Sequence, residues 1–420
     1  MSNWQKVNLD KLCFFEKGKT GLAKAIPGDY PLVTTSAERK TNDSYQFDAK
    51  AVCIPLVSST GHGHASLNYV HYQEGKFALG TILVALIPKD ETILNAQFLH
   101  LYLSRLKDMI LVPLMSGAAN VSLSISKIKT VEIPLPPIDE QLKIVELFKN
   151  LVNENNELVE EINTQQSLLK QLKQTILQEA IEGKLTTKYR AKNPDIGTAK
   201  ELLEQIKTEK EKLIKDKKIK ASKPLPPINE DETPFDIPPT WEWYRLGDYS
   251  INRDGERKPI SQIERENRAK IYDYYGASGV IDKIDGYTHD GIFLLIGEDG
   301  ANLISRTTPI AFIANGKFWV NNHAHVLEFL NIVSLSYVEK YINAINLKPY
   351  VTGGFQPKLS QANLNNILIS IPPIEEQKEI VATIEKLFAI CDELEREINQ
   401  NKTTVDNLMA TVLKEAFEQQ

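Results

Sequence analysis

The sequence is short of cysteine, with only Cys13, Cys53 and Cys391 in 420 residues. An odd number without ligand spacing excludes a disulfide scaffold and leaves reduced core thiols. No apolar run approaches the roughly 20 residues of a membrane span. Met1-Ser2-Asn3-Trp4-Gln5-Lys6 lacks the apolar centre of a secretion signal, so a cytoplasmic protein is expected. The phosphate-cradling Gly-x-x-x-x-Gly-Lys-Ser/Thr loop is missing too. The proline pairs at Pro136 and Pro372 follow Leu135 and Ile371 rather than Asn or Asp, with no trailing aromatic, so an adenine-methyltransferase pocket is not supported. His62-x-His64 and His323-x-His325 have no third ligand at zinc spacing. The carboxylate pair Glu298-Asp299 lies between glycines and has the character of a turn. No catalysis, metal or cofactor is therefore expected in this chain.

Net charge is −6, which looks unpromising for a polyanion partner until it is divided. Residues 131–185 carry 5 basic against 10 acidic groups, and residues 367–420 carry 5 against 11. Residues 1–130 carry 14 against 10, so the acidity is local and the rest permits a nucleic acid.

What the chain does have is a long periodic run, twice. After Pro136-Pro137-Ile138-Asp139-Glu140-Gln141, apolar residues at Ile144, Phe148, Leu151, Leu158, Ile162, Leu169, Leu172 and Ile176 alternate steps of four and three, once Asn155 and Gln165 are counted. That is a coiled-coil seam. The helix should end at Gly183. Pro372-Pro373-Ile374-Glu375-Glu376-Gln377 repeats the start. An offset of 236 residues then carries the seam onto Ile380, Ile384, Leu387, Leu394, Ile398, Val405, Leu408 and Val412, with Cys391 and Asn401 as its exceptions.

The rest of the chain is duplicated with it. Residues 1–135 and 241–370 are two mixed, strand-rich units. Trp4 and Leu9 echo in Trp241 and Leu246, and Gly75-Lys76-Phe77 echoes in Gly316-Lys317-Phe318. The loop Ser116–Asn120 corresponds to Thr352–Gln356 at the same offset. Residues 136–185 and 371–420 are the two helices. Residues 186–240 join them as a lysine-rich helix (Ala199–Lys220) and an extended proline-rich linker. The loops between the echoes have diverged and are rich in Ser, Thr, Asn, Gln, His and Arg, the groups that read base edges from a rigid frame.

This organisation resembles the specificity subunit of type I restriction–modification enzymes over nearly the full length. The motifs that carry it are Ile133–Gln141, Ile369–Gln377, Pro238–Gly247, and Gly300-Ala301-Asn302 with Asn322–Val326. The resemblance implies an α+β fold. Two similar target-recognition domains would be separated by two long antiparallel coiled-coil helices with pseudo-twofold symmetry. It implies one half of a split double-stranded DNA site read per domain, and a pair of adenine methyltransferase subunits docked on the chain. Restriction subunits would join through them, with S-adenosylmethionine, ATP and magnesium held by those partners in a prokaryotic cytoplasm. The residues expected to touch DNA are His62, His64, Asn68 and Asn120 in the first domain, whose contact loop Ser58–Asn68 is placed by analogy. In the second they are Glu298, Asp299, Asn302, Arg306, Asn322, His323, Gln356 and Lys358. The rivals are the recognition subunit of a fused restriction–methylation system and a coiled-coil scaffold without DNA. For the helices, topology favours antiparallel pairing, which relates the repeats by a pseudo-twofold axis and sends the domains to opposite ends, through Ile144, Asn155, Ile162 and Ile176 against Ile380, Ile398, Asn401 and Val412. Ile144 would lie opposite Val412, and Asn155 would face Asn401 in a buried polar layer.

Overall fold

The computed structural model describes residues 4–60, 63–118 and 120–418, with side chains as far as Leu408. The chain divides into two units, residues 1–163 with 399–420, and residues 164–398.

In the first unit, Gln5–Asn8 pairs antiparallel with Glu132–Leu135, so the globular part closes on itself just before the long helix. Between them lies a four-stranded antiparallel sheet in the order Cys13–Lys17, Leu83–Pro88, Ala51–Pro55, His71–Gln73. Its central strands are apolar at every position because both faces are covered. Val52, Ile54, Val84 and Leu86 join a core with Phe98 and Leu99. Ala51, Cys53, Leu83 and Ala85 point the other way, into a core with Phe47 and Phe77. A second sheet supplies that other layer, in the order Lys40–Asn42, Tyr30–Val33, Lys76–Leu79, Phe47–Asp48. Helix Ala96–Arg105 begins where the Asn95 side chain accepts from the Gln97 and Phe98 amides (2.9 and 3.0 Å).

The second unit repeats the frame and changes the sheets. Glu242–Arg245 pairs with Leu368–Ile371 as the first unit's closing strands do. One six-stranded sheet replaces the two smaller ones, in the order Ile251–Asn252, Ala324–Glu328, His289–Gly297, Ala311–Val320, Tyr272–Gly276, Gly279–Ile284. The parallel pair persists: Tyr30–Val33 with Lys76–Leu79 becomes Tyr272–Gly276 with Ala311–Val320.

The duplicated hexapeptide is explained by what it holds. Glu140 accepts the indole N–H of Trp4 (3.0 Å), and Glu376 accepts that of Trp241 (2.8 Å). Gln141 is fully buried and donates to the Pro136 and Ile93 carbonyls while accepting from the Asn95 amide. Gln377, also fully buried, donates to the Pro372 carbonyl and to Tyr249. Each Glu-Gln pair thus fastens a long helix to the domain that precedes it.

The helices run Ile138–Ile181 and Ile374–Glu418. Within the second unit they are antiparallel. Lys173 reaches Asp392 and Glu395 (2.9 and 2.8 Å), and Ser370 donates to the carbonyl of Ile181 (2.8 Å). The register is not the expected one. With Ile144 opposite Val412, Lys173 would fall opposite Thr383; it lies about three turns further along. Asn401 is exposed and Asn155 half-buried, so no buried amide layer forms. The reason is that Ile144, Val145 and Phe148 pack into the first domain's core, leaving the overlap to later turns. Among the buried residues there, Ile162, Leu169 and Ile176 on one helix and Cys391, Ile398 and Val405 on the other recur at seven-residue steps. Ile380 is fully buried near its helix start, and the side chain of Val412 lies outside the described residues.

Residues 186–240 are not a free linker. Helix Ala199–Lys215 stops five residues early, and Lys210 fastens it by donating to the carbonyls of Gly247, Asp248 and Ser250 (3.2, 2.9 and 2.9 Å). The proline-rich stretch is extended as expected but held down. Arg245 donates to the Pro226 and Pro227 carbonyls and pairs with Glu232 at 2.8 Å.

Candidate nucleic-acid interface

In the first domain the two polar loops lie side by side. Ser58 N–H donates to the Val121 carbonyl (3.0 Å), and a Cβ on Gly63 would meet the Ala118 carbonyl oxygen at 2.7 Å. A side chain at 63 would force the loops apart, and the φ of +80° there also favours glycine. The Ser58 hydroxyl donates to the His64 carbonyl (2.6 Å), and the Asn68 amide donates to Ser59 (2.9 Å). The side chains of His64, Asn68 and Asn120 are left exposed. His62 lies outside the described residues.

In the second domain the equivalent place is braced by charge. Glu298, 9% exposed, accepts from Arg257 (2.6 Å) and pairs with Lys358 (3.2 Å). Burial pushes its carboxyl up, but Arg257, His325 and Lys358 outweigh that and hold it below the usual range. His325 is buried between Asp254 (2.6 Å) and the Leu359 carbonyl (2.8 Å). Asp299 holds the exposed His323 at 2.7 Å. The loop Thr352–Lys358 is closed by two backbone hydrogen bonds between its ends (2.9 and 2.7 Å), just as Ser116 and Ser122 close theirs (2.9 Å both ways). It joins the acidic turn, for Gly300 N–H donates to the Pro357 carbonyl. Together these place Asn322, His323, Gln356 and Lys358 on one exposed edge.

The profile of the family described as Type I restriction modification DNA specificity domain matches residues 1–166 and 238–401. The chain belongs to that family. The EcoEI specificity subunit of Escherichia coli is 28% identical over 269 residues, 57% of this chain and 44% of its own. A putative type I restriction enzyme specificity subunit of Haemophilus influenzae is 36% identical over 153 residues, 36% of this chain and 38% of its own. The chain thus spans less than half the length of these two relatives. The Escherichia coli EcoDI specificity subunit is 23% identical over 429 residues, 99% of this chain and 88% of its own. Two solved structures share the fold. One is a chain from a type I R-M system studied for complex assembly and conformational transition (TM-score 0.64, 16% identity, 99% of this chain and 97% of that one). The other is the HsdS subunit from Thermoanaerobacter tengcongensis (TM-score 0.58, 17% identity, 100% and 97%).

Three positions in this specificity-family chain differ from their sequence reading. Asn302 is turned inward, accepting from Thr307 and Thr308 (both 3.1 Å) and donating to the Thr308 carbonyl, so it shapes its own loop. Arg306 is a brace, not a free cation. It sits in the left-handed region (φ 50°) and donates to the carbonyls of Ile342 and Ile345 at the end of helix Ile332–Ala344. Burial lowers its pKa to about 10. Glu298 likewise is mostly buried, with its carboxylate taken up by Arg257 and Lys358, so it holds the turn together. Sequence reasoning missed Arg257, which ties the Glu298 turn to the Ala324 carbonyl (2.9 Å), and Phe355, whose side chain is fully exposed at the loop tip. The signal for Phe355 was its place between Gly354 and Gln356, since an aromatic in a glycine turn has no strand or helix face to join. Among the described residues, no group of three or more His, Cys, Asp or Glu could hold a metal.

Proposed function

We propose that this chain is the DNA sequence-recognition subunit of a type I restriction–modification complex. Each globular domain reads one half of a bipartite duplex site, and the helical pair sets the gap. The observation that carries this is the recurrence of one loop cluster, closed by the same backbone bonds, on two copies of one frame with different exposed side chains. Gln356 and Asn322 supply amides for base edges, Lys358 a cation for phosphate, and Phe355 a face for stacking. In the first domain His64, Asn68 and Asn120 take these roles. The chain itself carries no catalysis; a pair of adenine methyltransferase subunits docks on it, binding S-adenosylmethionine. ATP-driven, magnesium-dependent restriction subunits join through them. Exposed leucines two heptads apart on each helix, Leu158 with Leu172 and Leu394 with Leu408, are apolar ground for that docking.

The test is duplex binding by the full chain across a salt titration, followed by mapping of methylated sites in cells that express the complex. Binding should weaken steeply with salt, and exchanging residues 1–130 for another such domain should change one half-site only. Salt-independent binding, or none, would favour a coiled-coil scaffold. Both half-sites changing together would defeat the modular reading, and co-purifying subunits would separate this system from a fused one.

A further inference from the structure

Beyond the loop clusters, the second unit carries a groove of about 800 Å³ between the end of the lysine-rich helix and the second domain. Lys217, Lys218, Lys220 and Lys223 line one side, and Asn252, Gln361 and Asn365 are among those on the other. Among the described residues none of these four lysines has a carboxylate partner, whereas Glu256, which also lines the groove, is paired with Arg253 at 3.1 Å. The Asn252 Nδ2 donor is buried without a hydrogen-bond partner.

Resting on the DNA-recognition reading above, we propose that this groove is a second nucleic-acid contact, a track for backbone phosphates that adds affinity without reading sequence. Three features point to it. Lys217 occupies a left-handed position (φ 58°) where the Lys218 amide bonds back to the Leu213 carbonyl. Glycine serves that helix-ending position with less strain, so a lysine there is explained by its charge. The helix dipole does not need it, because Lys212 and Lys215 already occupy the last turn. Next, the four lysines are spread along seven residues without helix or strand. The chain turns at Lys217–Ile219 and carries no helix, strand or turn from Lys220 to Lys223, so the four ammonium groups are set at several points along one groove wall, which suits successive backbone phosphates better than a single anion. Last, the groove adjoins the candidate interface. Arg253 leads directly to Asp254 and Arg257, which brace His325 and Glu298, and Gln361 follows the Lys358 loop. Lys210, bound to three carbonyls, fixes the lysine row to the domain.

The experiment compares the full chain with the variant Lys217→Gln, Lys218→Gln, Lys220→Gln, Lys223→Gln. Binding is measured to a 40-base-pair duplex carrying a mapped target site and to a scrambled one, over a range of sodium chloride. The slope of log affinity against log salt should flatten by about 0.9 for each phosphate that is no longer neutralised. Affinity should fall by the same factor on both duplexes, with the thermal melt unchanged. An unchanged slope in a folded variant would overturn the track while leaving the recognition reading intact. Inorganic phosphate that displaces duplex from the parent at constant ionic strength, but not from the variant, would overturn it in favour of a discrete anion site. A parent that binds neither duplex would overturn the recognition reading and this inference with it.

Discussion

The two repeats use one glutamate for different amounts of work. Glu140 is half-buried and accepts the Trp4 indole N–H. Glu376, fully buried, takes the Trp241 indole, the Thr186 hydroxyl (2.6 Å) and the Arg190 guanidinium (2.5 Å). A hexapeptide repeated almost letter for letter therefore ends one domain with a simple clasp and the other with a charged network. The difference comes from Thr186 and Arg190, which lie outside the repeated motif. It teaches that matching motifs preserve a position and leave its energy to neighbours.

The comparison breaks most sharply by substitution of the two glutamates. Glu376→Ala strands a poorly exposed guanidinium and a buried indole N–H, and should cost about 3–5 kcal/mol. Glu140→Ala removes one hydrogen bond and should cost about 1 kcal/mol. Denaturant midpoints of the full chain check this; equal losses would mean the network adds nothing.

A second contrast lies in acid response. In the first domain His71 is 5% exposed, with Arg39 at 3.2 Å from its Nδ1. Burial first, and the guanidinium next, lower its pKa from 6.5 to about 4. The unfolded chain thus binds the extra proton, so the stabilisation is complete above pH 6.5 and is lost as pH falls to about 4, roughly 3 kcal/mol in all. In the second domain burial also lowers His289, but Glu256 opposes it. Asp254 and Glu298 are held below the usual carboxylate range despite burial, so their contribution is complete above that range and is lost as the pH falls through it toward their lowered values. Hydrogen exchange should therefore show strand Ala51–Pro55 losing protection between pH 6.5 and 5, and His71→Gln should flatten that loss.

Next come two residues of the second domain with opposite expectations. Arg306→Ala should lower stability by about 1.5–3 kcal/mol, the worth of charged hydrogen bonds, without changing which sequence is bound. Phe355→Ala should leave the melt alone and weaken duplex binding by about 1–3 kcal/mol. If the two effects exchange places, the assignment of brace and contact is reversed.

How much of this was legible depends on which physical feature each fact rests on. The duplication and both helices were visible because a 3.5-residue seam and a fixed offset are properties of the letters themselves. The antiparallel sense followed from topology. Register did not, because an apolar letter at 144 or 148 does not say whether a partner helix or the preceding domain will claim it. The loops were recognisable from glycine and polar residues. Within them, Asn302 and Arg306 looked like contacts because most of their partners are backbone groups, which leave no mark in a sequence. The proline-rich stretch is extended, as its prolines imply, but its attachment to the second domain was not legible for the same reason, since Pro226 and Pro227 are held through their carbonyls.

The smallest expected effect decides the register most directly. Lys173 is partly exposed, and its bonds to Asp392 and Glu395 are of the surface kind, each worth about 0.2–1 kcal/mol. A single Lys173→Met stability change would be too small and too mixed to interpret, because it also alters the apolar cover of the seam. A double-mutant cycle removes that ambiguity, since the cover term cancels between the paired measurements. Lys173→Met combined with Glu395→Gln should show a coupling of about 0.5 kcal/mol that shrinks in high salt. Lys173→Met combined with Thr383→Val should show none, although the alternative register places those two residues opposite each other. Coupling to 383 and not to 395 would slide the second helix back by more than two turns and restore the Asn155–Asn401 layer.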